Sequence, residues 1–307
     1  MKKSIFLVAA ILVAVTSCTL DKTDYESEIS TVVTEHFEYL EVVSFTKNDY
    51  QISIQALNGT FYKGYNDFRL KIINTQTNES LNTSEITFLP ISTNYNGNNS
   101  SGPHRYNLNY NSTEDYYSGY AVFTNESTDS ENWKLYLSFT DNDETYTVDE
   151  NIIVEAQTNM NLNMTSFTGS DGEQYFIALV APQKPKIAQN ELVAGIYTYN
   201  PPSNDAGTFP DASQFSYSEV TDYTLLLDPR MPEPSMGNHS SLNNEDLTQQ
   251  EDGLYYGIVN YTMTGNWTLN FRMQNQFGEI LKGTEVSTEF TPGIEGARSE
   301  LYIDILF

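Results

Sequence analysis

The chain has 307 residues, with 15 Lys and Arg against 41 Asp and Glu and a single Cys, for a formal net charge of −26. That acidity leaves no basic face for the phosphates of a nucleic acid or for anionic lipid, and one Cys excludes a disulfide scaffold. With 39 % hydrophobic and 13 % aromatic residues, including 22 Tyr and 16 Phe, the chain is too apolar to stay disordered and is expected to be all-β.

The first element is a processing segment. Lys2 and Lys3 precede an apolar run from Ile5 to Val15, which is too short to cross a bilayer as a helix. The run ends in Val15-Thr16-Ser17-Cys18, which resembles a bacterial lipoprotein box. The resemblance implies a signal peptide over residues 1–17 and acylation of Cys18, anchoring the protein in the envelope or outer-membrane lipid. The alternative is an ordinary secretory signal that happens to contain a Cys. Loss of Lys2 and Lys3 with the leader takes the net charge from −26 to −28. Acylation would consume the one thiol, removing cysteine catalysis and thiolate metal sites. Residues 18–37, with Asp21, Asp24, Glu26 and Glu28, read as an acidic tether.

Further along, alternation with period two recurs and helical periodicity is not sustained. Tyr50, Ile52, Ile54 and Ala56 alternate with polar residues, as do Phe68, Leu70 and Ile72, and later Trp133, Leu135, Leu137 and Phe139. Asn58-Gly59, Asn96-Gly97 and Asp171-Gly172 mark turns between them. A repeat is legible at a shift of about 130 residues. Tyr117-Ser-Gly119 parallels Tyr255-Tyr-Gly257, and each is followed by a Trp-led strand, at Trp133 and Trp267. The expected architecture is two tandem immunoglobulin-like β-sandwich domains, at 38–158 and 159–307.

The segment from Asp228 to His239, Asp-Pro-Arg-Met-Pro-Glu-Pro-Ser-Met-Gly-Asn-His, holds three prolines and a glycine and is expected to be a shaped loop throughout. Met231, Met236 and His239 place two thioethers and an imidazole within nine residues, a donor set that suits Cu(I), with Asp228 or Glu233 able to offset its charge. This loop, Tyr255-Tyr256-Gly257 and Met263-Thr264-Gly265-Asn266-Trp267 together resemble the FixH/YtkA-like family of copper-associated envelope domains. The resemblance spans about residues 165–290. It departs at Asn238, which sets the His one residue later than the family does. It implies copper held at Met231, Met236 and His239, and a copper-handling protein as partner. At the corresponding place the first domain has Leu89-Pro90-Ile91 and later Gly102-Pro103-His104, with no Met, and is expected to be a degenerate copy.

Bland roles stand beside these. Met231 and Met236 could pack the loop onto the sandwich, His239 could be a hydrogen-bonded loop residue, and Met263 could be a packing residue. His104 reads as structural, and Asp141-Asn-Asp-Glu144 as a solvated turn. No nucleophile elbow, Walker loop or dinucleotide fingerprint is present, and three His make a His-rich zinc site hard to build. The sequence therefore predicts a non-catalytic envelope protein that binds or buffers copper. The alternative is a surface module for polysaccharide or a protein partner, with Tyr116, Tyr117, Tyr255 and Tyr256 as contact residues.

Overall fold

Alternating apolar stripes become strands wherever one face can be buried, and that rule accounts for nearly all of this molecule. The computed structural model describes residues 38–82, 85–157 and 160–307; the leader, Cys18 and the tether lie outside them. Residues 38–307 form one unit containing no α-helix among the described residues, only three short 3-10 turns. The fold is all-β and of sandwich type.

In the first half the strands are β1 (Tyr39–Lys47), β2 (Tyr50–Leu57), β3 (Phe61–Tyr62), β4 (Gly64–Asn74), β5 (Glu79–Ser80) and β6 (Ile86–Asn94). They continue with β7 (Asn99–Ser100), β8 (Asn109–Asn111), β9 (Tyr116–Phe123), β10 (Glu131–Asp141), β11 (Glu144–Ile152) and β12 (Val154–Glu155). One sheet runs β1-β2-β4-β9-β8 and the other β11-β10-β6-β7. Their inner faces meet through aromatic pairs: Phe68 stacks on Phe88 at 4.2 Å, and Phe123 meets Trp133 edge-on at 4.9 Å. The stripes Tyr50-Ile52-Ile54-Ala56, Phe68-Leu70-Ile72 and Trp133-Leu135-Leu137-Phe139 are all buried in this core. Asn142 and Asp143, both at positive φ, form the two-residue turn joining β10 to β11, so the acidic run there is a hairpin tip.

The second half contributes β13 (Met164–Thr168), β14 (Gln174–Ala181), β15 (Gln189–Asn200), β16 (Ser216–Glu219), β17 (Thr224–Met231) and β18 (His239–Ser240). It closes with β19 (Glu245–Gln249), β20 (Tyr255–Asn260), β21 (Asn266–Gln274), β22 (Ile280–Lys282) and β23 (Leu301–Leu306). These form one continuous sheet, β13-β14-β15-β20-β19-β17-β21-β22, with β23 added on β21. Because β19 pairs with both β20 and β17, it carries the sheet from one layer into the other, and the core lies between them around Trp267, Tyr255 and Phe271.

Among the described residues the halves share no strand pairing but do share a seam. Tyr120 and Val122 of β9 pack on Phe176 and Ala178 of β14 and Tyr197 of β15. Tyr217 donates to the Ser101 carbonyl at 2.7 Å, and Arg105 lies 3.5 Å from Glu219.

The repeat seen in the sequence reappears as strand register. Pro90 of β6 stands opposite Leu135 of β10, and Pro229 of β17 opposite Leu269 of β21; in each case the partner lies two residues past the Trp. The expectation of a loop from Asp228 onward is corrected here, since Asp228 to Met231 belong to β17. Pro229 is tolerated because β17 is only intermittently paired on its other side. There β19 reaches Thr224 and Leu225, β18 reaches Arg230 and Met231, and between them no ladder bond needs a Pro N–H.

Candidate functional site

Three of the elements suspected from sequence converge at the end of β17. Met231, its last residue, is paired directly with His239 of β18, so the two side chains project from neighbouring backbones onto one face. Between them the chain makes a 3-10 turn at Pro234–Met236, closed by Gly237 in the left-handed region at φ 66. Met231 is 1 % exposed and belongs to the second core, and its methyl group lies over Gly265, where a Cβ would approach Cε to 3.0 Å. The Met-Thr-Gly-Asn-Trp segment is thereby brought under the loop, with Met263 packed against the same core.

His239 is half-buried. Its Nε2 lies 2.7 Å from the Thr262 hydroxyl, and its ring faces Trp267 at 6.0 Å. Trp267 is itself held by donation from Nε1 to the Met263 carbonyl at 3.0 Å. Met236 stands apart from this group: it is 37 % exposed on the turn. The loop thus brings Met231 and His239 together and leaves Met236 at the surface.

The extra residue before the His has a structural reason. Asn238 adopts φ 54 and is buried, and its side-chain amide donates to the carbonyls of Ser287 at 2.9 Å and Glu289 at 3.4 Å. It clamps the irregular segment after β22 across the loop, a role that Gly296 supports by donating its N–H to the Pro232 carbonyl at 2.7 Å. His239 then enters β18 opposite Met231. Sequence reasoning missed this clamp because its partners lie about fifty residues away.

Neither carboxylate suggested as charge compensation is idle. Asp228 is engaged by Arg230 Nε at 2.9 Å, and that guanidinium is buried. Glu233 accepts from Asn266 Nδ2 at 2.5 Å, which ties the turn to the start of β21. Among the described residues no group of three or more His, Cys, Asp and Glu side chains is placed to hold a metal ion.

The first half offers a comparison on the same scaffold. Two residues past Pro90, Ser92 occupies the register position of Met231, and its partner on β7 is Ser100 where β18 has His239. Ser92 is buried and hydrogen-bonded to Glu131 at 2.5 Å and Asn125 at 3.3 Å. Both donor positions are therefore hydroxyls in one copy and a thioether and an imidazole in the other. His104 takes no part in this pairing and bridges Ala121 instead. It is buried, bonded through Nδ1 to the Gly102 carbonyl at 2.8 Å, and burial pulls its pKa down to about 4 against the smaller upward effect of that bond.

The tyrosines considered for stacking do not form a platform. Tyr117 and Tyr255 are 1 % and 0 % exposed, as alternation requires of one member of each pair. Tyr116 is covered by the Arg69 guanidinium at 4.5 Å, and Tyr256 donates to Asp252 at 2.7 Å.

Comparison with known proteins gives little further. No protein-family model matches the chain, and no curated protein matches it. Among solved structures it is similar to the crystal structure of a conserved domain protein from Bacillus anthracis, at 12 % identity and a TM-score of 0.29. That match covers 88 % of this chain and 90 % of the other.

Proposed function

We propose that this chain is a non-catalytic, lipid-anchored protein of the cell envelope whose second half holds Cu(I) at Met231 and His239, with Met236 closing from the turn. The observation that carries this reading is the direct cross-strand pairing of Met231 with His239, at a register position filled by two serines in the other copy. A thioether and an imidazole suit a soft monovalent ion, and two or three neutral donors bind it weakly enough to be passed on by ligand exchange. Thr262 on Nε2 would orient the ring and leave Nδ1 to face the ion, the arrangement by which outer partners commonly fix a ligating His. Met236, exposed on the turn, would be the donor a copper-handling partner meets first.

Competition for Cu(I) against a chromophoric chelator tests this, using the full chain in detergent. Met231 lies in the core, so Met231→Leu is the informative change: it removes sulfur at nearly constant volume, at a cost of less than about 1.5 kcal/mol. One-to-one binding weakened about tenfold or more in both Met231→Leu and His239→Gln is expected. Absence of binding by the wild type, or binding untouched by either change, would remove copper from the account.

A further inference from the structure

Outside the Met/His region, the outer face of the β11-β10-β6 sheet carries side chains in register rows. Ser138 of β10 is the cross-strand partner of both Thr87 and Thr147, and Tyr136 of both Leu89 and Asp149. Partners in register project to the same side, so a line of three hydroxyls lies beside a line holding an aromatic ring and a carboxylate. The core stripe of β10 uses Trp133, Leu135, Leu137 and Phe139, which confirms that Tyr136 and Ser138 face outward.

This face is not open. The segment between β15 and β16 reaches over from the second half and sets Phe209 perpendicular to Tyr136, ring centroids 5.6 Å apart. Pro210 and Ala212 follow in its lining, which also includes Tyr106, 38 % exposed. The result is a cleft of about 390 Å³, and a second hollow of about 620 Å³ shares Tyr106 and Ala212 with it, continuing past Asn107, Asn109 and Tyr217. Ligand sites typically fall in this size range, with a few polar groups placed among apolar walls.

We infer that this cleft between the halves binds a neutral oligosaccharide, with Tyr136, braced edge-on by Phe209, and Tyr106 packing on sugar faces and the Thr87-Ser138-Thr147 row and Asp149 meeting its hydroxyls. The charges argue for a neutral sugar. Lys134 is committed to Asp149 at 2.8 Å and Arg105 to Glu219 at 3.5 Å, so neither of these cations is free for a uronate or sulfate. A net charge of −26 opposes an anionic glycan further. A peptide is disfavoured over β6 and β10, which are interior strands and offer side chains only.

The test is calorimetric titration of the full chain in detergent, with copper chelated, against cellohexaose, maltohexaose, xylohexaose and mannohexaose, with polygalacturonate as the anionic probe. One neutral hexaose is expected to bind one-to-one with a Kd of about 1 mM or tighter. Phe209→Ala, on an exposed segment where folding is not at stake, and Tyr136→Ala should each weaken it about tenfold or more. Met231→Leu should leave it unchanged, which separates this site from the copper reading. Failure of all four hexaoses, preference for polygalacturonate, or binding that survives Phe209→Ala would overturn the proposal.

Discussion

Burying an imidazole costs its charged form more than its neutral one, and His104 shows the consequence at the scale of one residue. Its pKa falls from near 6.5 to about 4, chiefly by desolvation among Tyr106, Tyr217 and the Gly102 carbonyl. Below pH 6.5 the unfolded chain takes up a proton that the folded chain refuses, so this contribution is fully present above pH 6.5 and is lost as the pH falls toward 4. By linkage the loss is about 2 kcal/mol at pH 5. Denaturant melts of wild type and His104→Gln at pH 7.5 and pH 5 should differ in slope, the variant losing about 2 kcal/mol less on acidification. Equal losses would show that the ring does not titrate as burial requires.

At the scale of elements, the two copies use one device with different tolerances. Gly119 in β9 and Gly257 in β20 follow equivalent tyrosines, and neither has space for a side chain. A Cβ at Gly119 would come within 2.6 Å of Leu108 Cδ2 and Phe68 Cζ, whereas at Gly257 it would meet the Glu245 carbonyl oxygen at 2.6 Å and that of Asp246 at 3.0 Å. Side chains can yield where backbone cannot. The Gly257 contact also lies at the irregularity between Glu245 and Thr248, where β19 crosses between layers. Gly119→Ala should therefore cost about 1–2 kcal/mol and Gly257→Ala about 3 kcal/mol or more, measured by equilibrium unfolding. The reverse order would place the rigid contact in the first half.

For the whole molecule, the seam determines whether two cores behave as one. Tyr120, Val122, Phe176, Ala178 and Tyr197 form a small apolar cluster of their own, closed on one side by Tyr217 and by the Arg105–Glu219 pair. The exposed ion pair contributes little, so coupling rests on the rings and on the Tyr217 hydroxyl. Tyr217→Phe should cost about 1–2 kcal/mol by leaving the Ser101 carbonyl without its donor. A Tyr120→Ala/Tyr217→Ala double variant should split a single calorimetric transition into two. One transition in the double variant would show that the halves are coupled by other contacts.

What the sequence determined by itself was whatever depends on local periodicity. Period-two stripes specified which residues of β2, β4 and β10 face the core, because a strand offers only two faces and water selects between them. The repeat was legible for the same reason, as was the Met and His content of the segment after Asp228. The sequence could not show that Asp228 to Met231 are strand, since Pro229 is permitted only by a gap in pairing that β18 and β19 create from elsewhere in the chain. Nor could it show that Met231 faces His239, that Asn238 clamps a segment fifty residues away, or that Phe209 of one half closes a cleft on Tyr136 of the other. Those depend on register and long-range docking, which are decided by the free energy of the whole packed unit rather than by any window of residues.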